Sequence, residues 1–150
     1  MGDADEDNLV AIVSGHRADA RHGVRRAFTL IPWDSLAGPG RVLLNPGFGK
    51  ASEELGGADA DLMVGDALVD VKSGRRCSVG IEAIRAVVAY ALIANHFGVT
   101  GHRRVHIERV GIYLARIGEI QVFSLRDCID ETDEEGVLEV LFGRRGRMAV

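Results

Sequence analysis

The feature that most constrains this chain is a pair of short apolar runs separated by Gly65-Asp66. The runs are DLMV at residues 61–64 and ALVD at residues 67–70. A glycine-aspartate pair between two such runs is a favourable two-residue turn for antiparallel strands. The sequence therefore predicts a hairpin in which Met63 faces Leu68 and Asp61 faces Asp70.

The hairpin has two unlike faces, because successive side chains of a strand point to opposite sides. One face is wholly apolar and is predicted to receive a helix; its residues are Ala60, Leu62, Val64, Ala67, Val69 and Val71. The other face is mixed and consists of Asp59, Asp61, Met63, Leu68, Asp70 and Lys72. Opposed carboxylates with Cβ atoms roughly 5 Å apart destabilise a sheet, so Asp61 and Asp70 require a positive partner.

Two kinds of positive partner are compatible with this pattern. A Mg²⁺ ion takes hard oxygen ligands and typically uses one or two carboxylates. Alternatively, the acids are solvated and Lys72, on the same face, is an ordinary ion-pair partner. Only Lys50 and Lys72 are lysines among eighteen basic residues, which favours a chemical role for a compact ammonium beside two acids.

Apolar periodicity along the rest of the chain predicts alternating helices and strands. The expected elements are a helix within 17–30, a loop at 33–40, a strand at 41–44, a helix at 78–97, a hairpin over 105–123 interrupted near Arg109, and a helix at 127–142. This alternation, with 47% apolar residues in 150, predicts an α/β fold with one domain over residues 9–142. Residues 1–8 are expected to be a disordered acidic tail and residues 143–150 a basic tail.

The acids of the hairpin resemble the motif of the PD-(D/E)xK phosphodiesterase superfamily, the restriction-endonuclease-like nucleases. Asp61 is followed nine positions later by Asp70-Val71-Lys72, and Ala60 stands where proline often precedes the first acid. The segment VGIYLAR at 110–116 resembles the next strand of that family. The resemblance covers about residues 41–125 and implies a restriction-endonuclease-like mixed central sheet flanked by helices.

The same resemblance implies a metal-dependent nuclease that hydrolyses nucleic-acid phosphodiester bonds, with DNA expected rather than RNA. Asp61, Asp70 and the Val71 carbonyl would bind Mg²⁺, with Mn²⁺ as a substitute, and Lys72 would position the attacking water. Further candidates for supporting the metal or contacting substrate are Glu53, Glu54, Asp59, Arg85, Tyr90 and Arg116.

Each further candidate also has an ordinary structural interpretation. Glu53 and Glu54 suit solvated positions, and Asp59 is assigned to a pair with Lys72. Arg85 suits an exposed ion pair with Glu82 three residues earlier, worth a few tenths of a kcal/mol. Tyr90 is predicted to be a core residue more readily than a catalytic one, and Arg116 is either a surface residue or a nucleic-acid contact.

The alternative to a nuclease is a non-catalytic module of the same fold that binds nucleic acid or another protein, as a homodimer or within a larger assembly. The net charge of −4 keeps this alternative open, because duplex binding depends on neutralising phosphates with Lys and Arg. No apolar run is long enough to cross a membrane, and a cytoplasmic location is expected. Cys77 and Cys128 lack zinc-ligand spacing and are expected to be reduced packing residues.

Overall fold

The computed structural model describes residues 29, 31–36, 40–74 and 78–143. Its strands are β1 (Val42–Leu44), β2 (Leu62–Val64), β3 (Ala67–Lys72), β4 (Arg109–Leu114) and β5 (Glu119–Ser124). Its helices are α1 (Trp33–Leu36), α2 (Lys50–Glu54), α3 (Ile81–Phe97), α4 (Leu125–Cys128) and α5 (Glu131–Phe142). This part of the chain is therefore an α/β structure, as the sequence pattern predicts.

The five strands form one mixed sheet in the order β1-β2-β3-β4-β5. Strands β1, β2 and β3 form an antiparallel meander, β4 is parallel to β3, and β5 returns antiparallel to β4. Parallel neighbours need a long crossover connection, which here contains α3. Helices flank the sheet, so the coarse prediction of a mixed central sheet between helices is confirmed.

The central hairpin has the predicted register. Val64 pairs with Ala67 and Met63 with Leu68, and Gly65 adopts a positive φ of 59° at the turn. Of the two central residues only Gly65 has a positive φ, which is the requirement of a type II′ turn at its first central position, and glycine meets it without strain. The local turn chemistry therefore places Asp61 and Asp70 at the same, open end of the hairpin.

Helices cover both faces of the hairpin. The longest helix of the described residues, α3, packs on the mixed face, where Met63 and Leu68 belong to the same buried cluster as Leu92. The wholly apolar face is covered by residues 31–36, which include the short helix α1, with Leu36 fully buried in the second cluster. Because the acids are confined to one end of the mixed face, the apolar residues in its middle can pack against α3.

The second predicted hairpin is shorter than expected, because β4 begins at Arg109 and not at residue 105. Ile107 is buried ahead of the strand, and its backbone is paired by a side chain. The Ile107 N–H donates to Asn95 Oδ1 at 2.6 Å, and Asn95 Nδ2 donates to the Ile107 carbonyl at 3.0 Å. The amide of α3 thus replaces a neighbouring strand and accounts for the phase change near Arg109.

Several other boundaries differ from the predictions. The expected helix at 127–142 is two helices, α4 and α5, and the expected loop at 33–40 contains α1. Cys128 is a half-buried free thiol, and burial raises its pKa. Apart from Thr29 and Gly143, the predicted elements at 1–8, 17–30 and 143–150 lie outside the described residues, as does Cys77. Within the described ranges, no helix has the length and apolar character needed to span a membrane.

Candidate functional site

The predicted acids lie where strand β3 extends beyond its pairing with β2. The ladder between these strands ends at the pair of Leu62 and Val69, whereas β3 continues to Lys72. The side chain of Asp61 continues the pairing in place of a backbone group, because the Val71 N–H donates to Asp61 Oδ2 at 2.7 Å. One carboxylate oxygen of Asp61 is thereby fixed against the backbone of β3.

Backbone geometry also determines where the Val71 carbonyl is directed. In a strand, the N–H and C=O of one residue point toward the same neighbour. The N–H of Val71 is bonded to Asp61, so its carbonyl is directed to the same edge. The Asp61 backbone is held in turn by Asn45, whose N–H donates to the Asp61 carbonyl at 2.9 Å.

Asp70 and Lys72 form a close ion pair on the face that α3 covers. The Lys72 Nζ lies 2.8 Å from Asp70 Oδ2, and the two side chains are 46% and 13% exposed. Apart from this ammonium, no donor among the described residues reaches the buried Oδ2 of Asp70. Asp70 and the neighbouring Asp61 share this one ammonium, which leaves the negative charge of the pair only partly compensated.

Electrostatics show that these three side chains influence one another. Burial raises the pKa of Asp61, the hydrogen bond from Val71 opposes this change, and the charge of Asp70 raises the pKa further. The pKa of Lys72 is raised chiefly by its contact with the Asp70 carboxylate. Lys72 is thus an ammonium at neutral pH, available as a donor and positive charge rather than as a base.

The donor set fits a hard cation that retains part of its water shell. Two carboxylates and one directed carbonyl lie at the open end of the hairpin, and Asp70 Oδ2 has the Lys72 ammonium as its only close donor among the described residues. In the described part of the chain, no group of three or more His, Cys, Asp or Glu side chains could hold a metal ion. Mg²⁺ needs only one or two carboxylates, whereas structural zinc needs four protein ligands.

The candidates on α3 and after β4 have no direct contact with the acids. Arg85 forms an exposed ion pair with Glu82, with Nη1 and Oε1 2.9 Å apart, as its structural interpretation predicts. Tyr90 is half-buried, and its ring centroid lies 5.7 Å from that of Phe48. It is nevertheless close enough to Lys72 to contribute to the raised pKa of the lysine. Arg116 is exposed in the turn after β4.

The predicted pair between Asp59 and Lys72 is wrong. Lys72 pairs with Asp70, whereas Asp59 Oδ1 accepts a hydrogen bond from Ser52 Oγ at 3.0 Å. Asp59 is instead part of an anchor between α2 and the segment before β2, because Ser52 also bonds the Ala58 carbonyl at 2.6 Å. The physical reason is that the chain turns at Asp59, which forms a bridge with Gly47 and does not continue β2.

Helix α2 contributes a residue that the sequence pattern does not reveal. Ser52 is the buried polar side chain of this helix, and it also accepts a hydrogen bond from the Phe48 N–H at 2.8 Å. Glu53 and Glu54 of the same helix are exposed. A serine within KASEE carries no signal that distinguishes an anchor from a solvated residue, since only the tertiary contact with Ala58 and Asp59 buries it.

The described residues thus define an α/β protein with a carboxylate and lysine site at the open end of a sheet hairpin. Neither protein-family models, nor curated proteins, nor solved structures provide a match to this chain.

Proposed function

We propose that this protein is a metal-dependent nuclease of the restriction-endonuclease-like type, which hydrolyses phosphodiester bonds of nucleic acid, with DNA as the expected substrate. The order of elements supports this proposal: an acid-bearing hairpin, then helix α3, then the parallel strand β4. This is the order that the resemblance to the PD-(D/E)xK superfamily implies. The proposal names a class of reaction and depends on the site rather than on the fold alone.

One observation carries the proposal, the partly compensated carboxylate pair. Asp61 and Asp70 interact electrostatically and share the ammonium of Lys72, which is the only donor that approaches Asp70 Oδ2 in the described part of the protein. Partly compensated buried charge is costly, so a site that retains it suits a cationic ligand. When bound by Asp61, Asp70 and the Val71 carbonyl, Mg²⁺ would lower the pKa of a water and polarise the scissile phosphate.

The residues around the proposed metal would orient the ligands and donate protons to water or substrate. The hydrogen bond from Val71 fixes the orientation of the Asp61 carboxylate, which leaves its second oxygen for a ligand. Lys72 keeps its proton at neutral pH, so it can donate to a water or to a phosphate oxygen. Its half-exposed ammonium lies at the rim of the site and can reach substrate while it remains beside Asp70.

Metal binding is the first test of this function. Calorimetric titration with Mn²⁺ is expected to show one site in the wild type and no measurable site in Asp70→Asn. Glu119→Gln is the matched control, because it removes one negative charge from exposed strand β5. Wild-type binding that persists unchanged in Asp70→Asn would reject the site.

Cleavage is the second test, with a panel of single-stranded, duplex and branched DNA and of RNA. Lys72→Gln is expected to lower the rate by at least about 100-fold, equivalent to about 2.7 kcal/mol, while Mn²⁺ affinity is retained. Arg126→Gln is the control, since Arg126 pairs with Glu134 on α5. Equal rates in Lys72→Gln and the wild type would contradict the water-positioning role.

A non-catalytic module becomes the better proposal under one outcome. If Mn²⁺ binds and every substrate of the panel remains intact, the site holds a metal for binding rather than for hydrolysis. Self-association or assembly with a partner stays a prediction, which light scattering of the isolated protein would check.

A further inference from the structure

The basic residues of the described part of the chain fall into two groups. Four of them are paired with carboxylates: Lys72, Arg85, Arg109 and Arg126. Five have no carboxylate partner within the described ranges: Arg41, Lys50, Arg103, Arg104 and Arg116. All five are exposed. The position of the five cations without an acid partner is informative, because the other four each find one.

Four of the five unpaired cations lie around the loop that follows α3. This loop turns at Gly98, where a Cβ atom would lie 2.6 Å from the His102 carbonyl oxygen and 2.7 Å from that of Arg103. A bridge between Val99 and His102 closes the turn. The close backbone approach requires glycine, and the closed turn presents Arg103 immediately afterwards as an exposed side chain.

The same loop contacts the residue before β1 and the segment before α2. Arg41 Nη1 lies 3.0 Å from His102 Nδ1, so this arginine contacts an imidazole and not an acid. The N–H and hydroxyl of Thr100 donate to the Gly47 carbonyl at 2.8 and 3.1 Å. Lys50 follows Gly47 by three residues. We call the surface formed by Arg41, Lys50, Arg103 and Arg104 the basic surface.

The basic surface is connected to the candidate site through one stretch of paired backbone. Gly47 pairs with Asp59, and two residues away Asn45 donates to the Asp61 carbonyl. The exposed acids of this region are Glu53 and Glu54 on α2 and Asp59, which pairs with Gly47. They lie on α2 and on the segment before β2, so the positive charge is concentrated on the part that contains Arg41, Arg103 and Arg104.

We propose that the basic surface binds the phosphate backbone of a nucleic-acid duplex beside the candidate site. Exposed cations without acid partners can release phosphate counterions on binding, which favours association with nucleic acid. The cations are spread over the loop after α3, the residue before β1 and the first residue of α2, which suits a row of phosphates better than a single small anion. The part of this proposal that places the duplex at Asp61 and Asp70 rests on the proposed nuclease function, whereas duplex binding by the basic surface does not.

The test measures duplex binding without cleavage. Fluorescence anisotropy with a labelled duplex DNA in EDTA is recorded over a range of salt concentrations. The double variant Arg103→Gln with Arg104→Gln is expected to weaken binding at least about tenfold at low salt and to reduce the slope of log K against log salt by about 2. The control is Arg126→Gln, which removes a positive charge from an ion pair outside the basic surface, so losses of affinity are compared per charge removed.

Each outcome supports or overturns the proposal. Retained binding in the control, with a loss in the Arg103 and Arg104 variant, supports it. Equal losses per charge removed in both variants, no loss in either, or no binding by the wild type overturns it. A parallel titration with duplex RNA measures the affinity for the second kind of duplex. The two duplexes carry the same kind of charge and differ in helical form, so a difference between their affinities identifies the nucleic acid that the surface prefers.

The failure of this inference can be separated from the failure of the proposed function. The Arg103 and Arg104 variant is titrated with Mn²⁺ alone, and its metal affinity is expected to equal that of the wild type. If the Arg103 and Arg104 variant and its control bind the duplex equally well while Mn²⁺ binding is normal, the basic surface is rejected and the metal site is retained. If the wild type does not bind Mn²⁺ but binds the duplex as expected, the metal site is rejected and the basic surface is retained.

Discussion

At the turn end of the β2–β3 hairpin, the charge of the Asp66 carboxylate is fully compensated by a guanidinium. At the open end, the charges of Asp61 and Asp70 are only partly compensated. Arg109 Nε lies 3.1 Å from both carboxylate oxygens of Asp66, and its Nη2 lies 2.5 Å from Oδ1. This contact lowers the pKa of Asp66. Burial raises the pKa of Asp61 in the same hairpin, only a few residues away.

The difference separates an acid that supports the fold from acids that suit a ligand. The Asp66 carbonyl also accepts the N–H groups of Glu108 and Arg109, so the turn end ties β4 to the hairpin. At the open end, the single ammonium of Lys72 has to compensate both Asp61 and Asp70. Perturbed and incompletely paired carboxylates are typical of functional sites, where local stability is lower than it could be.

The largest expected difference between the two ends is their response to metal. At a Mn²⁺ concentration about 100 times the Kd, binding to the folded state alone stabilises it by about 2.7 kcal/mol. For a chain of 150 residues this raises Tm by roughly 5–11 °C. We expect this shift in the wild type and in Asp66→Asn, and none in Asp70→Asn, by differential scanning fluorimetry. A full shift in Asp70→Asn would remove the functional distinction between the ends.

The second expected difference is the loss of stability when the turn-end acid is neutralised. Asp66→Asn removes a charge-assisted, partly buried contact with Arg109 and is expected to lower the free energy of unfolding by about 1–2 kcal/mol. Glu82→Gln is the control, because its exposed pair with Arg85 is worth at most about 0.5 kcal/mol. Urea unfolding without metal measures both, and equal losses would contradict the structural role of Asp66.

The third expected difference has the opposite sign. Asp61→Asn is expected to stabilise the metal-free protein at neutral pH by about 0.5 kcal/mol, because the repulsion by Asp70 is removed. The amide oxygen of asparagine can still accept the hydrogen bond from Val71. Asp61→Ala is the comparison variant, since it removes both the charge and the acceptor. A loss of stability in Asp61→Asn would mean that the carboxylate at the open end supports the fold.

The sequence predicts the hairpin because the signals that form it are local. Gly65-Asp66 defines the turn, and alternation on both sides defines the register that places Met63 opposite Leu68. The same local reasoning brings Asp61 and Asp70 to one end. The helical pattern at 78–97 likewise predicts α3, with a start three residues later in the structure.

Features that depend on distant contacts cannot be read from local pattern. The partner of Asp66 is Arg109, 43 residues away, and the partner of the Ile107 backbone is Asn95 on α3. Burial of both hairpin faces conceals which one receives α3, because Met63 and Leu68 are as apolar as the residues of the other face. The pairing of Lys72 with Asp70 instead of Asp59 depends on where the chain turns before β2.

The smallest expected effect is a difference in the pH range over which each acid changes stability. The ordinary aspartate pKa is 3.8, and Asp66 in the folded protein titrates below it. Its stabilisation is complete above pH 3.8 and is lost as the pH falls through the lowered pKa. Asp61 titrates above 3.8, so its cost is absent below 3.8 and develops as the pH rises through the raised pKa.

Urea midpoints of the wild type, Asp61→Asn and Asp66→Asn, measured from about pH 2.5 to 7, test this difference. The advantage of Asp61→Asn is expected to disappear on acidification before the deficit of Asp66→Asn does. Glu82→Gln again serves as the control for an exposed acid. If both differences vanish over the same pH range, the two ends of the hairpin have equivalent electrostatic environments, and Asp66 does not differ from the acids of the open end as a structural acid differs from a ligand-binding pair.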